Sequence, residues 1–363
     1  LKVLLLNQFG AGSEAPTGRL ADELAEFLNL HRHTARVISS NASYRVKRTG
    51  WRRWAHELRS HFILFFRAVN LGRADVVISF TSPVCLPVTA RFAASFLHAK
   101  LYLWNMDLYP DLALALGELK PGLLASMLRS LMQGAYKSAA GVVALDDDMR
   151  EFLQENYGVD SCVIPPWPPN LPWPASLSSA TAGNKTWLYS GNLGQAHEIK
   201  TLLKIQQRLE GTRTDIQLVL QGGGAQWAFS QESARQLGLK NVSWRNPATE
   251  SKLTESLWNA DVLVVTRKPE TKGLLWPSKL ALAQLSSRPV LWIGDTDSRT
   301  AGALRAEPRN GVFAPGEVEQ TARWLIDTMT ATSHRPVLPL ATETSRRENL
   351  QKWEALLTGT TVQ

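Results

Sequence analysis

The sequence predicts an α/β protein built from two doubly wound domains, and three observations carry that prediction. Short apolar runs alternate with stretches of helical periodicity along most of the 363 residues. That alternation is the pattern of parallel strands joined by crossover helices. A proline-rich segment, Pro165-Pro166-Trp167-Pro168-Pro169-Asn170-Leu171-Pro172-Trp173-Pro174, interrupts it near the middle, and proline stiffens a linker. Beyond the linker, strand-like runs end in glycine-rich turns, as at Gly191-Asn192-Leu193-Gly194 and Gln221-Gly222-Gly223-Gly224. The expected division is a first domain over 1–165, a linker over 166–185, a second domain over 186–343, and a last helix near 344–358.

In the first domain, Val3–Leu6 reads as a buried strand, Gln8–Thr17 as a loop and Leu20–Leu28 as a helix. Ala35–Ile38 is the next strand. The stretch from Lys47 to Arg73 is amphipathic at helical spacing, with Trp51, Trp54, Leu58, Phe62 and Phe66 among its apolar residues. It carries Lys47, Arg48, Arg52, Arg53, Arg59, Arg67 and Arg73 against one acid, Glu57. A basic amphipathic helix suits anionic lipid; a packed helix with a solvated basic face shows the same pattern. Val76–Phe80 and Leu101–Trp104 are strands ending in Thr81-Ser82-Pro83 and Asn105-Met106-Asp107. Asp107 sits where a strand end points a carboxylate into a crevice, or where it caps a helix over Leu108–Leu116. Leu123, Leu124, Met127, Leu128, Leu131, Met132 and Tyr136 form a second stripe, read as core. A strand at Val142–Leu145 and a helix over Asp147–Tyr157 follow.

The second domain opens on Thr186-Trp187-Leu188, a strand that runs into Gly191–Gly194 and then a helical pattern from Ile199. Glycines let backbone N–H groups approach an anion, and a helix N-terminus adds partial positive charge. The residues therefore suit a diphosphate cradle, and equally an ordinary βα turn. Two further turns have related form: Gly222-Gly223 after Ile216–Leu220, and Gly273–Lys279, where Ser278 would cap a helix over Lys279–Ser286. In open α/β sheets ligands bind beyond the carboxyl ends of strands. Asp261–Val265 and Pro289–Ile293 are further strands, and Val318–Met329 a further helix.

Composition limits the partners. Hydrophobic residues make up 44% and charged residues 20%, as in ordinary globular domains. The formal net charge of +8 fits nucleic acid, a membrane surface or anionic substrates; no RNA-binding signature is present, so nucleic acid ranks last. Cys85 and Cys162 alone point to a reducing compartment. No uncharged apolar run reaches the roughly 18 residues of a transmembrane helix, and Leu1–Leu6 is too short for a signal peptide. Asp146-Asp147-Asp148 and Asp295-Thr296-Asp297 have carboxylate spacing, but the first opens a helix and the second lies past the cradle. The histidines form no metal-ligand cluster.

Taken together, Asn7-Gln8, Pro16-Thr17-Gly18-Arg19, Asp107-Leu108-Tyr109-Pro110 with Leu116-Gly117, Ala144-Leu145 with Asp148-Met149-Arg150, Tyr189–Gly194 with Ala196-His197-Glu198, and Pro277-Ser278-Lys279 resemble glycosyltransferase family 4. These are the retaining enzymes of GT-B fold, and the likeness is greatest to the bacterial branch making colanic-acid-like and O-antigen-like polysaccharides. The resemblance implies two Rossmann-like domains facing a central cleft, with the last helix crossing back onto the first. It implies transfer of a sugar from a UDP- or GDP-type nucleotide sugar to a glycan or polyprenol-diphosphate-linked acceptor. No metal or other cofactor is expected. Location would be cytoplasmic, peripheral on the inner face of the cell membrane. Asp107 and Lys279 are the expected catalytic residues. Gly191, Asn192, Gly194, His197, Lys200, Lys272, Gly273 and Ser278 would hold the donor diphosphate, with Arg267 and Lys268 nearby. Gly222, Gly223 and Arg245 would meet the nucleotide, and Thr17, Gly18 and Arg19 form a loop toward donor and acceptor. One departure stands out. Lys272 and Leu282 occupy the places of the family's glutamate pair, and Leu282 cannot accept bonds from a ribose. A sugar-nucleotide epimerase and a non-catalytic member of a glycan assembly complex are the alternative readings.

Overall fold

The computed structural model describes residues 1–10, 15–40, 51–173, 185–331 and 342–360, with no account of the side chains of residues 51, 53, 251 and 342–344. The α/β class read from the sequence is the one observed. Contacts divide the chain into two compact units: Leu1–Trp167 with Gly273–Trp276 and the stretch from Thr344, and Pro168–Lys272 with Pro277–Glu343.

The first unit contains β1 (Lys2–Asn7), α1 (Pro16–Leu30), β2 (Thr34–Ser39), α2 (Trp51–Val69), β3 (Val76–Ser79), α3 (Leu86–Leu97), β4 (Lys100–Trp104), α4 (Asp111–Ala115), α5 (Leu123–Ser138), β5 (Gly141–Ala144), α6 (Asp147–Tyr157) and β6 (Cys162–Val163). Its six strands are parallel in the order β2-β1-β3-β4-β5-β6. The second unit contains β7 (Lys185–Asn192), α7 (Lys200–Glu210), β8 (Ile216–Gly223), α8 (Trp227–Gln236), β9 (Val242–Arg245), α9 (Glu250–Asn259), β10 (Val262–Thr266), α10 (Lys279–Leu285), β11 (Val290–Ile293), α11 (Arg299–Arg305), β12 (Gly311–Phe313) and α12 (Val318–Thr330). Its strands are also parallel, in the order β12-β11-β10-β7-β8-β9. The last helix is α13 (Thr342–Thr358).

Both sheets reverse direction of growth beside their first strand. In the first unit β2 and β3 flank β1; in the second β8 and β10 flank β7. Crossover connections leave a crevice at such a switch point, outside the carboxyl ends of the two strands. The chemistry-bearing loops of each unit should therefore follow β1 and β3, and β7 and β10.

The first core is closed by aromatic rings. Trp353 of α13 is fully buried, and its ring centroid lies 4.8 Å from that of Trp104, which lies 5.6 Å from Trp167 and 4.8 Å from Phe80. Glu23 of α1 accepts from Trp167 Nε1 at 2.5 Å and from Arg346 Nε at 2.9 Å. Trp353→Ala should destabilise this unit by about 3–5 kcal/mol, the usual cost of truncating a buried Trp. Denaturant unfolding followed by tryptophan fluorescence checks this; a cost below about 1 kcal/mol would show α13 to be dispensable to that core.

Several sequence expectations need correction. α1 begins at Pro16, because proline's fixed φ suits a first helical position; Thr17, Gly18 and Arg19 are therefore helical, not loop. The helix expected over Leu108–Leu116 is only Asp111–Ala115, so Asp107 does not cap it. The acidic triplet does open a helix as expected, with Asp146 capping α6 by accepting from Met149 N at 2.8 Å. The α5 stripe is core only in part, through Met132, Tyr136 and the adjoining Leu128. Ala125, Met132, Ala135 and Tyr136 face inward, whereas Leu123, Leu124, Met127 and Leu131 are exposed. Lys47 and Arg48 lie outside the described residues. Among the described residues, no helix is long and apolar enough to cross a membrane.

Candidate active site

In the second unit the turn after β7 is built by close approach of two strands. β7 and β8 stay in register to their ends, Gly191 opposite Gly222 and Asn192 opposite Gly223. Gly222 has φ +145°, and a Cβ there would stand 2.1 Å from the Gly191 carbonyl oxygen. Leu193 N donates to Gly223 O at 2.6 Å, and Gln226 N donates to Leu193 O at 3.1 Å. Gln226 Nε2 then donates to Gly194 O at 2.6 Å and His197 O at 2.9 Å, fixing the turn from within.

His197 spans the switch point. Its Nδ1 lies 2.8 Å from Thr266 O at the end of β10. A carbonyl only accepts, so Nδ1 carries the proton and Nε2 is left as an acceptor. Lys279 Nζ donates to that Nε2 at 3.0 Å and to Asn192 O at 3.1 Å. It also lies 5.1 Å from the centroid of the Tyr189 ring, within cation–π range. Gly191 makes this possible: a Cβ there would stand 2.4 Å from Lys279 Cε.

The electrostatics follow from that geometry. Burial lowers the Lys279 pKa to about 7. The side chain as a whole is half-buried, so the ammonium is only partly withdrawn from water. Burial first, then the Lys279 charge, lowers His197 to about 3, so the imidazole is neutral at physiological pH. Lys279 thus has three neutral neighbours and, among the described residues, no carboxylate partner. Two of its three N–H groups are used. A half-desolvated cation with a free donor, beside glycine backbone at a switch point, has the chemistry to hold an anion.

Other expected residues fall in different settings. Lys200 opens α7 and is exposed, its Nζ 5.8 Å from the Phe229 ring centroid. Lys272 pairs with Asp297 at 2.9 Å. Ser278 is exposed at the start of α10, but its helical φ and ψ leave its hydroxyl without a cap bond, so it does not cap as expected. Arg245 ends β9 opposite Gln221 and is exposed. Gly223 is half-buried at the end of β8, and a Cβ there would meet nothing within 4 Å. Arg267 is withdrawn as a phosphate ligand. It is fully buried, with Nε and an η nitrogen 2.8 and 2.9 Å from the two carboxylate oxygens of Asp295.

In the first unit the strand ends converge similarly. Gln8 N donates to Ser82 O at 2.8 Å. Met106 N and Asp107 N donate to Thr81 Oγ1 at 3.2 and 3.1 Å. Asp107 forms an isolated bridge with Leu275, and Leu108 N donates to Leu274 O at 2.8 Å. Burial raises the Asp107 carboxyl to about 6, and no basic group opposes the shift. Gly273, at φ +71°, packs on α6, where a Cβ would stand 2.8 Å from Asp148 O; its own fold requires it without any ligand. Thr17 Oγ1 accepts from Asn7 Nδ2 at 3.3 Å, and Gly18 is buried. Arg19 is committed to Glu23 at 2.9 Å and Trp167 O at 2.7 Å, which ties α1 to the linker instead of serving a substrate loop. Among the described residues, no group of three or more His, Cys, Asp or Glu could hold a metal ion.

The comparisons with known proteins agree with this architecture. No protein-family model matches the chain. The chain is similar to the probable glycosyltransferase WbjE of Pseudomonas aeruginosa, 25% identical over 232 residues; the match takes in 60% of this chain and 57% of that protein's length. Among solved structures, Alr3699/HepE of Anabaena, in complex with UDP, superposes with a TM-score of 0.64 at 13% identity, covering 99% of this chain and 97% of that one. WaaG, a glycosyltransferase involved in lipopolysaccharide biosynthesis, superposes at 0.66 with 15% identity, covering 98% of each chain. The chain has the GT-B fold. Within that fold the Lys279 group lies in the second Rossmann-like unit and Asp107 in the first. Sequence reading missed Tyr189 as the floor under Lys279, Thr266 as the anchor of His197, and Gln226. These residues are distant in sequence, and no local motif marks them.

Proposed function

We propose that the protein is a retaining, metal-independent glycosyltransferase of family 4 type, in the polysaccharide-building branch. It would move a sugar from a UDP- or GDP-type nucleotide sugar to a lipid-linked glycan acceptor. The observation that carries this reading is Lys279, half-buried, without a carboxylate partner among the described residues and set with His197 and Asn192 at the glycine turn. The likeness to a probable glycosyltransferase and to GT-B structures, one holding UDP, supports it.

In the reaction, the bond from the anomeric carbon to the diphosphate oxygen breaks and a bond to an acceptor hydroxyl oxygen forms. Negative charge grows on the departing nucleoside diphosphate. Lys279 and the N–H groups near Gly194 are the fixed positive ends that stabilise it. His197, neutral and donating through Nδ1 to Thr266, positions Lys279. Lys200 and Lys272 add longer-range positive charge, and Gly222, Gly223 and Arg245 meet the nucleoside. Asp107 accepts the hydroxyl proton of the acceptor. Leu282 in the family's ribose-holding place leaves the ribose to other groups.

Two titrations follow. Asp107 must be ionised, so kcat/KM should rise through about pH 6. Lys279 must be charged, so in the free enzyme kcat/KM for donor should fall above about pH 7. A bell-shaped profile is expected, and Asp107→Asn should flatten its acidic limb. An unchanged acidic limb in that variant would remove Asp107 from catalysis.

A panel of sugar nucleotides, with and without polyprenol-diphosphate acceptors, tests the reaction class. Nucleotide release that requires both substrates supports transfer. Isomerisation of the donor without acceptor would identify an epimerase, and binding with neither outcome a non-catalytic relative.

A further inference from the structure

The first unit exposes a wide apolar face that its fold does not use. On α2, Trp54, Leu58, Phe62 and Phe66 recur at four-residue spacing and all are more than half exposed, Trp54 at 64%. Phe92 and Phe96 do the same on α3, at 60% and 66%. On α5 the row is Leu123, Met127 and Leu131, joined by Leu124, with Leu123 at 92%. In each helix the exposed row lies across from the residues that face the core: Leu64 and Ala68 on α2, Ala90 and Ala93 on α3, Met132 and Ala135 on α5. α3 packs against both α2 and α5, so the three rows belong to one layer. Scattered exposed apolar side chains need no explanation, but a contiguous set this size marks an interaction surface.

Charge identifies the partner. α2 contributes Arg52, Arg59 and Arg67, α3 contributes Arg91, and α5 contributes Lys137 and Arg129, the last of them paired with Asp111. The three helices hold one acid, Glu57, and its carboxylate is turned inward to accept from Val84 N at 3.1 Å. Apolar rows set among cations match a surface that offers acyl chains beneath anionic headgroups. A second copy of the chain meeting this face on itself would oppose like charges.

We propose that α2, α3 and α5 together form a docking face for an anionic lipid bilayer, with the N-terminal turn of α5 and the two α3 phenylalanines entering the acyl boundary. This extends the lipid-linked acceptor reading by naming the surface, but it rests on exposure and charge rather than on the donor site. It also assigns to the membrane the exposed row of α5, which periodicity alone reads as core.

The test is flotation of the full chain with vesicles of phosphatidylcholine alone and of equimolar phosphatidylcholine and phosphatidylglycerol, at low and high salt. The wild type should float with the anionic vesicles at low salt and lose binding as salt rises. The paired variants Leu123→Ser with Met127→Ser, and Phe92→Ser with Phe96→Ser, should each weaken partitioning at least about tenfold, since each removes two inserting side chains. Arg52→Glu with Arg59→Glu should abolish the preference for anionic vesicles. Circular dichroism of every variant should match the wild type, because the changed residues are exposed. No flotation of the wild type, or flotation of both apolar pairs at wild-type strength, overturns the proposal. So does concentration-dependent dimerisation that the apolar pairs abolish, which would assign the face to self-association. Nucleoside diphosphate affinity, measured by calorimetry, should be unchanged in all three variants. If the wild type binds vesicles but no nucleotide, the catalytic reading fails and this one stands.

Discussion

Replacing Lys279 by methionine is expected to weaken donor binding about a hundredfold while making the protein more stable at neutral pH. The ammonium meets Asn192 O, His197 Nε2 and the Tyr189 ring, all of them neutral. A charge-assisted bond to a diphosphate is worth up to about 3 kcal/mol, so affinity for the nucleoside diphosphate should fall about a hundredfold. Stability should move the other way. Burial depresses the Lys279 pKa to about 7, so between there and the ordinary lysine value the folded chain holds fewer protons than the unfolded chain. Stability therefore rises with pH across that window, and at pH 7 and below the full cost of charging a desolvated lysine is present. Lys279→Met removes the cost. A gain of about 1–2 kcal/mol is expected at pH 6, shrinking toward pH 9. Thermal unfolding without nucleotide at those two pH values checks it. Destabilisation at pH 6 would mean that Lys279 is a structural group.

The glycines of the cradle should separate into two kinds. Gly222→Ala places a Cβ 2.1 Å from the Gly191 carbonyl oxygen at φ +145°. Backbone cannot yield as a side chain can, so the strand ends must part, at a cost of about 3–5 kcal/mol. Gly194 differs. It is not among the glycines at positive φ, and the nearest atom to a Cβ there is Asn192 Nδ2 at an ordinary 3.7 Å. Gly194→Val should fold as the wild type does and lose nucleotide affinity by at least about tenfold, because its side chain fills the space left for the ligand. Unchanged affinity in a folded Gly194→Val protein would move the diphosphate away from this turn.

The α/β architecture was legible because both sheets are fully parallel. Strands buried on both faces read as continuous apolar runs, Val3–Leu6 and Val262–Val265 among them, and helices fall between them. The glycine turn was legible for the same reason, since it follows such a run directly. What joins that turn to its cation was not. Lys279 lies 82 positions from His197, and only the adjacency of β7 and β10 brings the two loops together. Local reading also could not separate cations by fate. Arg267 and Lys279 both follow strand ends or turns rich in small residues, yet Asp295 neutralises one in the core and, among the described residues, no carboxylate pairs with the other. In sequence Arg19 reads as part of a substrate loop, because its partners, Glu23 and Trp167, are invisible until α1 and the linker meet. The α5 stripe shows the limit of periodicity. Hydrophobic spacing says that a helix face is apolar, not that something covers it. Leu123 and Met127 look like Met132 and Tyr136 in sequence, and only the exposure of one set and burial of the other tells them apart.

The most direct test of the central claim is the proton balance of nucleotide binding. Free Lys279, with a pKa near 7, is mostly neutral at pH 8, and a diphosphate beside it restores the charge. Titration calorimetry of UDP and GDP at pH 8, in two buffers of different ionisation enthalpy, should show uptake of close to one proton on binding the preferred nucleotide. Lys279→Met should show none. Binding with no proton uptake, or with the same uptake in Lys279→Met, would contradict the placement of the donor diphosphate at Lys279.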